Sequence, residues 1–145
     1  MKHVAIDMDG VLCEYYHKKG SMNTTNFDIE GFFYERKPLN IVINAIKALF
    51  KDRHLFILSA SPTEMAIKEK NAWLDEYFPI EERYFINFPD GCKAQFLIDY
   101  AEKHNIPRNE ILLIDDNHEI LRKVEKAGFK VMHISRLITL YEREV

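Results

Sequence analysis

The chain has 145 residues, 47% of them hydrophobic and 30% charged, with a formal net charge of -3. That balance describes one soluble globular domain with a substantial core, neither a disordered nor a membranous chain. The slight acidity offers no broad attraction for nucleic acid, which disfavours polynucleotide binding. Its two cysteines, Cys13 and Cys92, form no CxxC and no disulfide framework, and fit a reducing cytoplasm. No apolar run reaches the roughly eighteen residues of a membrane span. Acids at Asp7 and Asp9 interrupt the N-terminal apolar run, so neither a signal peptide nor a membrane partner is expected.

Val4-Ala5-Ile6 reads as a buried strand that ends in Asp7-Met8-Asp9-Gly10. In open α/β sheets, ligands gather beyond the carboxyl ends of strands. An Asp-x-Asp-Gly segment taken alone is also an ordinary turn with Asx hydrogen bonds. Two carboxylates so close raise each other's pKa unless a cation, a proton or hydrogen bonds relieve them. A hard cation with oxygen ligands, such as Mg²⁺, is one solution.

Residues 13–38 differ from the rest, with many aromatics and turn formers, and read as a small lid inserted after the first strand. Tyr15, Tyr16, Phe27, Phe32 and Phe33 are candidates to stack on a nucleobase or, equally, to fill a small core beneath the lid. Helical spacing then runs from Leu39 to Phe50 after Pro38, and Leu55–Leu58 forms a second strand that ends in a polar turn, Ser59-Ala60-Ser61-Pro62. Pro62 opens a helix that stops at Phe78-Pro79, and Tyr84-Phe85-Ile86 forms a third strand. A helix beginning near Lys93 and broken by Pro107 leads to the most apolar strand, Ile111–Ile114, which ends in Asp115-Asp116. His118 reads as the N-terminal residue of the next helix, which ends near Gly128. Phe129–Met132 is the last strand, with the charged C-terminus as a tail or short helix. Strands alternating with helices predict one α/β domain over 1–145, a parallel sheet covered on both faces.

Right-handed crossovers put successive strand ends along one rim. Asp7 and Asp9, Ser59 and Ser61, Asp115 and Asp116 all fall on that rim, with Lys93 beside them. Each would be costly to bury unpaired. Together they are the parts of phosphoryl transfer: a carboxylate to attack phosphorus, acids to hold a cation, a hydroxyl and a lysine for the phosphate oxygens, and a second acid to move protons. Lys68 and Lys70 lie too far along their helix to replace Lys93. Ser61 competes with Ser59 for the hydroxyl position, and can instead cap the helix beginning at Pro62.

In order and placement these residues resemble the four motifs of the haloacid dehalogenase-like phosphatases: Asp7-Met8-Asp9-Gly10-Val11, Ser59, Lys93 and Asp115-Asp116. The resemblance covers nearly all of the chain outside Cys13 to Pro38. It implies a Rossmann-like three-layer α/β/α sandwich and a Mg²⁺-dependent hydrolase of small-molecule phosphomonoesters. In such an enzyme Asp7 is the nucleophile and a metal ligand, while Asp9 is the general acid and base and lends its backbone carbonyl to the metal. Ser59 and the Ala60 amide bind phosphate, Lys93 bridges nucleophile and phosphate, and Asp115 and Asp116 serve the metal. Within the family, Asp-Met-Asp-Gly-Val-Leu, Ser61-Pro62, Lys70-Asn71-Ala72-Trp73 and Leu112-Leu113-Ile114-Asp115-Asp116 are similar to the 5'(3')-deoxyribonucleotidases, which implies a nucleotide substrate. Sugar phosphates and a non-catalytic phosphate-binding module are the alternatives. The short lid departs from that group's helical cap and leaves the site open, or leaves it to a second subunit of a homo-oligomer to cover.

Overall fold

The computed structural model describes residues 1–15, 31–61, 63–87 and 92–144. Strands β1 (His3–Ile6), β2 (His54–Ser61), β3 (Arg83–Asn87), β4 (Ile111–Asp115) and β5 (Lys130–His133) alternate with helices α1 (Asn40–Leu49), α2 (Glu64–Tyr77), α3 (Lys93–Lys103), α4 (His118–Lys126) and α5 (Ile134–Glu144). The strands form one parallel sheet in the order β3-β2-β1-β4-β5. A parallel sheet buries both faces, and this one has a core on each. Val4, Ile6, Ile57, Leu112 and Ile114 pack with α1, Trp73 and Leu74 of α2, and Leu137 of α5. Ala5, Phe56, Leu58, Ile111 and Leu113 pack with Leu97 and Tyr100 of α3 and with Leu121 and Val124 of α4. The architecture is thus the expected three-layer α/β/α sandwich.

This alternation decides where the polar strand ends point. Ile6 pairs with Ile57 on one side and Ile114 on the other, and all three face α1, α2 and α5. One residue on, Asp7 and Asp115 therefore turn toward the α3/α4 layer. In β2, by the same count, Ser59 and Ser61 turn toward α2, and Ala60 toward α3. Chain order reverses between β1 and β4, so the crevice beyond their ends is a topological switch point.

Two features differ from expectation, and a third takes one of its two expected forms. Ser59, Ala60 and Ser61 are not a turn: β2 continues through them because they pair with Phe85, Ile86 and Asn87 of β3. The cap of α2 is Thr63, whose hydroxyl accepts the Ala66 amide at 3.1 Å, so Ser61 is not the cap; Pro62 lies outside the described residues. Of the tail or short helix expected at the C-terminus, the chain forms the helix, eleven residues long, because Ile134, Leu137, Ile138 and Tyr141 repeat at helical spacing and pack onto the core. Leu137 is fully buried. Leu137→Ala is expected to cost about 2–5 kcal/mol, seen as a lower midpoint in urea unfolding.

Candidate active site

The end of β1 is shaped by backbone first. The Met8 carbonyl accepts from the amides of Val11, Leu12 and Cys13, which curls the chain tightly behind Asp7. Gly10, at φ +78°, completes the curl, and a Cβ there would collide with the Asp116 carboxylate and the Tyr15 ring. Cys13 is buried with its thiol against the Met8 carbonyl at 3.5 Å, a packing residue whose thiol burial pushes to higher pKa.

On the α3/α4 side, Lys93 at the start of α3 joins the two strand ends. Its Nζ lies 2.8 Å from Asp7 Oδ1 and 2.7 Å from Asp115 Oδ2. Burial would lower the Lys93 pKa, yet Asp7 and Asp115 hold it above the ordinary lysine value. Asp115 is held from a second side, Oδ1 accepting the Asn117 amide at 2.9 Å, while Asn117 caps α4 through Glu119 and Ile120. Burial, with Asp115 and Asp9 nearby and Lys93 opposing, pushes Asp7 up to about 8. Burial and Asp115 push Asp116 up to about 6. Asp7, Asp115 and Asp116 each offer an oxygen within 4.8 Å of the others. With all three carboxylates ionised, the one ammonium would leave two negative charges uncompensated, which is the repulsion that raises Asp7 and Asp116. This all-oxygen, anionic set fits a hard divalent cation.

Asp9 stands apart from that cluster. Its Oδ2 accepts Lys70 Nζ at 2.8 Å and its Oδ1 accepts Arg36 Nη1 at 3.0 Å. Burial would raise its pKa, but Lys70 and Arg36 keep it below the usual carboxylate value. Lys70 also donates to Ser59 Oγ at 3.0 Å and to the Ala60 carbonyl at 2.8 Å. The two serines thus differ: Ser59 is taken by Lys70, and the buried Ser61 hydroxyl has no hydrogen-bond partner among the described residues. Neither Lys70 nor Arg36 was expected here, and Lys70 reaches the acid beside Asp7 from the middle of α2. One signal was available. Ala66, Lys70, Trp73 and Leu74 are the buried positions of that helix, so Lys70 interrupts an apolar stripe where a lysine needs a carboxylate.

The candidate lid residues divide. Tyr15 is 55% exposed at the rim. Burial and then Asp116 raise its pKa to about 12. Phe33 is buried, and the Arg36 guanidinium lies 4.9 Å from the ring centres of both Phe32 and Phe33. Tyr16 and Phe27 lie outside the described residues. The segment's two ends are paired, Glu14 donating to Lys37 and Leu39 to Leu12 at 3.0 and 2.8 Å. His118 opens α4 and stacks on His133 at 4.3 Å, whose Nε2 lies 3.1 Å from the Asp116 carbonyl.

No protein-family model matches the chain, and no curated protein sequence matches it. Solved structures match it across most or all of its length. D,D-heptose 1,7-bisphosphate phosphatase from B. bronchiseptica, complexed with magnesium and phosphate, aligns with a TM-score of 0.63 at 15% identity over 100% of both chains. A HAD family enzyme from Bacteroides thetaiotaomicron, complexed with magnesium and inorganic phosphate, aligns with a TM-score of 0.61 at 14% identity, over 92% of this chain and 93% of its own. A haloacid dehalogenase-like hydrolase from Xanthomonas campestris aligns with a TM-score of 0.66 at 10% identity, over 100% and 95%. At these identities the likeness is one of fold, and the chain has the HAD-like α/β fold.

Lys93 is the cation between two buried acids. Lys93→Met is therefore expected to cost about 3–5 kcal/mol in chelator-treated protein, measured by urea unfolding.

Proposed function

We infer that the chain is a Mg²⁺-dependent phosphomonoester hydrolase that works through an aspartyl phosphate on Asp7. The observation that carries this reading is the division of the acids: Asp7, Asp115 and Asp116 converge on one point, while Asp9, two residues from Asp7, is held away from them. Asp7, Asp115 and Asp116 would hold Mg²⁺, with the Asp9 backbone carbonyl beside them. When bound, the cation neutralises the phosphate and makes its approach to an anionic nucleophile less costly.

The chain's own residues do the rest. Lys93 holds Asp7 Oδ1, which leaves the other oxygen to attack phosphorus. As that bond forms, the bond from phosphorus to the leaving oxygen breaks, and Asp9, whose protonated form the negative charge of the entering phosphate favours against Lys70 and Arg36, gives that oxygen its proton so that the alcohol departs neutral. Asp9 then takes a proton from water as the water attacks phosphorus, releasing inorganic phosphate and restoring the Asp7 carboxylate. Phosphate oxygens fall to Lys93, the Ala60 amide and a serine hydroxyl. The unpartnered hydroxyl of Ser61 supports Ser61 for that place over Ser59.

For the substrate, the likeness to 5'(3')-deoxyribonucleotidases supports a nucleoside monophosphate, with Tyr15 the exposed rim aromatic among the described lid candidates. A second reading, a sugar phosphate, is favoured by the burial of Phe33 beneath Arg36, which takes that ring from any base. The full-length fold match to a heptose bisphosphate phosphatase is compatible with it. The free thiols of Cys13 and Cys92 suit a cytoplasmic setting, and no described helix is long and apolar enough to cross a membrane.

A panel of nucleoside and sugar monophosphates, assayed with and without Mg²⁺, tests the reading. Hydrolysis is expected only with the cation, and failure on every compound would support a binding module instead. Asp7→Asn is expected to abolish turnover and keep the fold; turnover at the wild-type rate would show the nucleophile to be another residue. Asp9→Asn is expected to block turnover while Mg²⁺ still raises the melting temperature, and loss of that rise would contradict the separation of roles.

A further inference from the structure

Lys70 and Arg36 take part in no step above, yet they are among the most fully buried charges described, at 0% and 5% exposure. Burying an ammonium is costly unless every donor finds an acceptor. Lys70 meets that condition: its three N–H groups have three acceptors, Asp9 Oδ2, Ser59 Oγ and the Ala60 carbonyl. The Phe33 ring covers Nζ at 4.7 Å. Arg36 approaches from another direction, with Nη1 on Asp9 Oδ1, Phe32 and Phe33 against its guanidinium, and its own carbonyl held by Trp73 Nε1 at 2.7 Å. Each oxygen of the Asp9 carboxylate is therefore gripped by a different element. Rotation of the side chain would break a buried ion pair on either side.

We propose that Lys70 and Arg36 are positioning residues for Asp9, fixing its carboxyl group relative to the Ser59–Ala60 end of β2 so that its proton meets the leaving oxygen of the substrate. The proposal rests on the hydrolase reading and adds the geometry by which the proton reaches one atom. An ion pair that only fastens α2 to the sheet would look the same in a stability measurement, so the separating readout is chemical. When Asp7 bonds to phosphorus and the leaving bond breaks, an alkoxide needs the Asp9 proton to depart, whereas p-nitrophenolate departs as a stable anion. Displacing Asp9 therefore penalises alkyl phosphates selectively. The selectivity appears in kcat/KM, which covers the steps up to the phosphorylation of Asp7.

The experiment compares glycerol 2-phosphate with p-nitrophenyl phosphate, in Mg²⁺, for wild type, Lys70→Met, Arg36→Met and Arg36→Lys. Both methionine variants are expected to lose at least tenfold more kcat/KM on the alkyl than on the aryl substrate, and Arg36→Lys to recover most of the difference. If Lys70→Met does not fold, the two Arg36 variants carry the comparison. An active wild type with equal losses on the two substrates overturns this assignment alone. A wild type that hydrolyses neither substrate overturns the hydrolase reading and the assignment with it.

Discussion

The ion triple of Asp7, Lys93 and Asp115 is the constraint around which the rest of the molecule is arranged. Two carboxylates buried on adjacent strand ends would repel each other in a poorly solvated place, and the ammonium that separates them must come from outside the sheet. Lys93, at the start of α3, satisfies that need. Register matters equally: a slip that brought Ile114 opposite Asp7 would turn Asp115 to the opposite face. The apolar runs beneath the site therefore do more than fill the core, because their alternation aims the acids.

Seen from this triple, the two acids of Asp7-Met8-Asp9 occupy different electrostatic surroundings although they are neighbours in sequence. Asp7 sits among other acids and is pushed toward neutrality, which a bound divalent cation would relieve. Asp9 sits between two cations, which favour its carboxylate form until a substrate's charge enters beside it. The tight curl around the Met8 carbonyl makes this possible, because it sends consecutive acids toward different layers of the sandwich. A straight continuation of β1 would have put both on one face.

Much of this was legible in the chain. Each strand announces itself as an apolar run, and the polar residues that end β1 and β4 fall at the rim because parallel strands share a direction. What escaped was long-range pairing. Lys70 finds its acid 61 positions away and Arg36 finds the same acid 27 positions away. No local periodicity encodes such a meeting. The longer β2 was hidden because Ser59 and Ser61 look like turn formers, and only their pairing with β3 keeps them extended. In the C-terminal helix, interspersed charges masked an apolar stripe with ordinary helical spacing. Ser59 and Ser61 share a parity, so sequence could not separate them; what separates them is a lysine arriving from α2.

One face of α2 serves residues that precede α1. Glu69, Trp73 and Glu76, spaced along a single stripe, hold residues 31–36: Glu69 accepts the Gly31 and Phe33 amides, Trp73 binds the Arg36 carbonyl, and Glu76 accepts the Tyr34 hydroxyl. These anchors act downstream of residue 30, and the pairing of Glu14 with Lys37 closes the base. The segment that carries Arg36 to Asp9 is thus fastened along α2 by its own contacts. α2 therefore reaches Asp9 by two routes, directly through Lys70 and indirectly through the segment that presents Arg36, so a substitution on this face of the helix is felt at the acid without touching it.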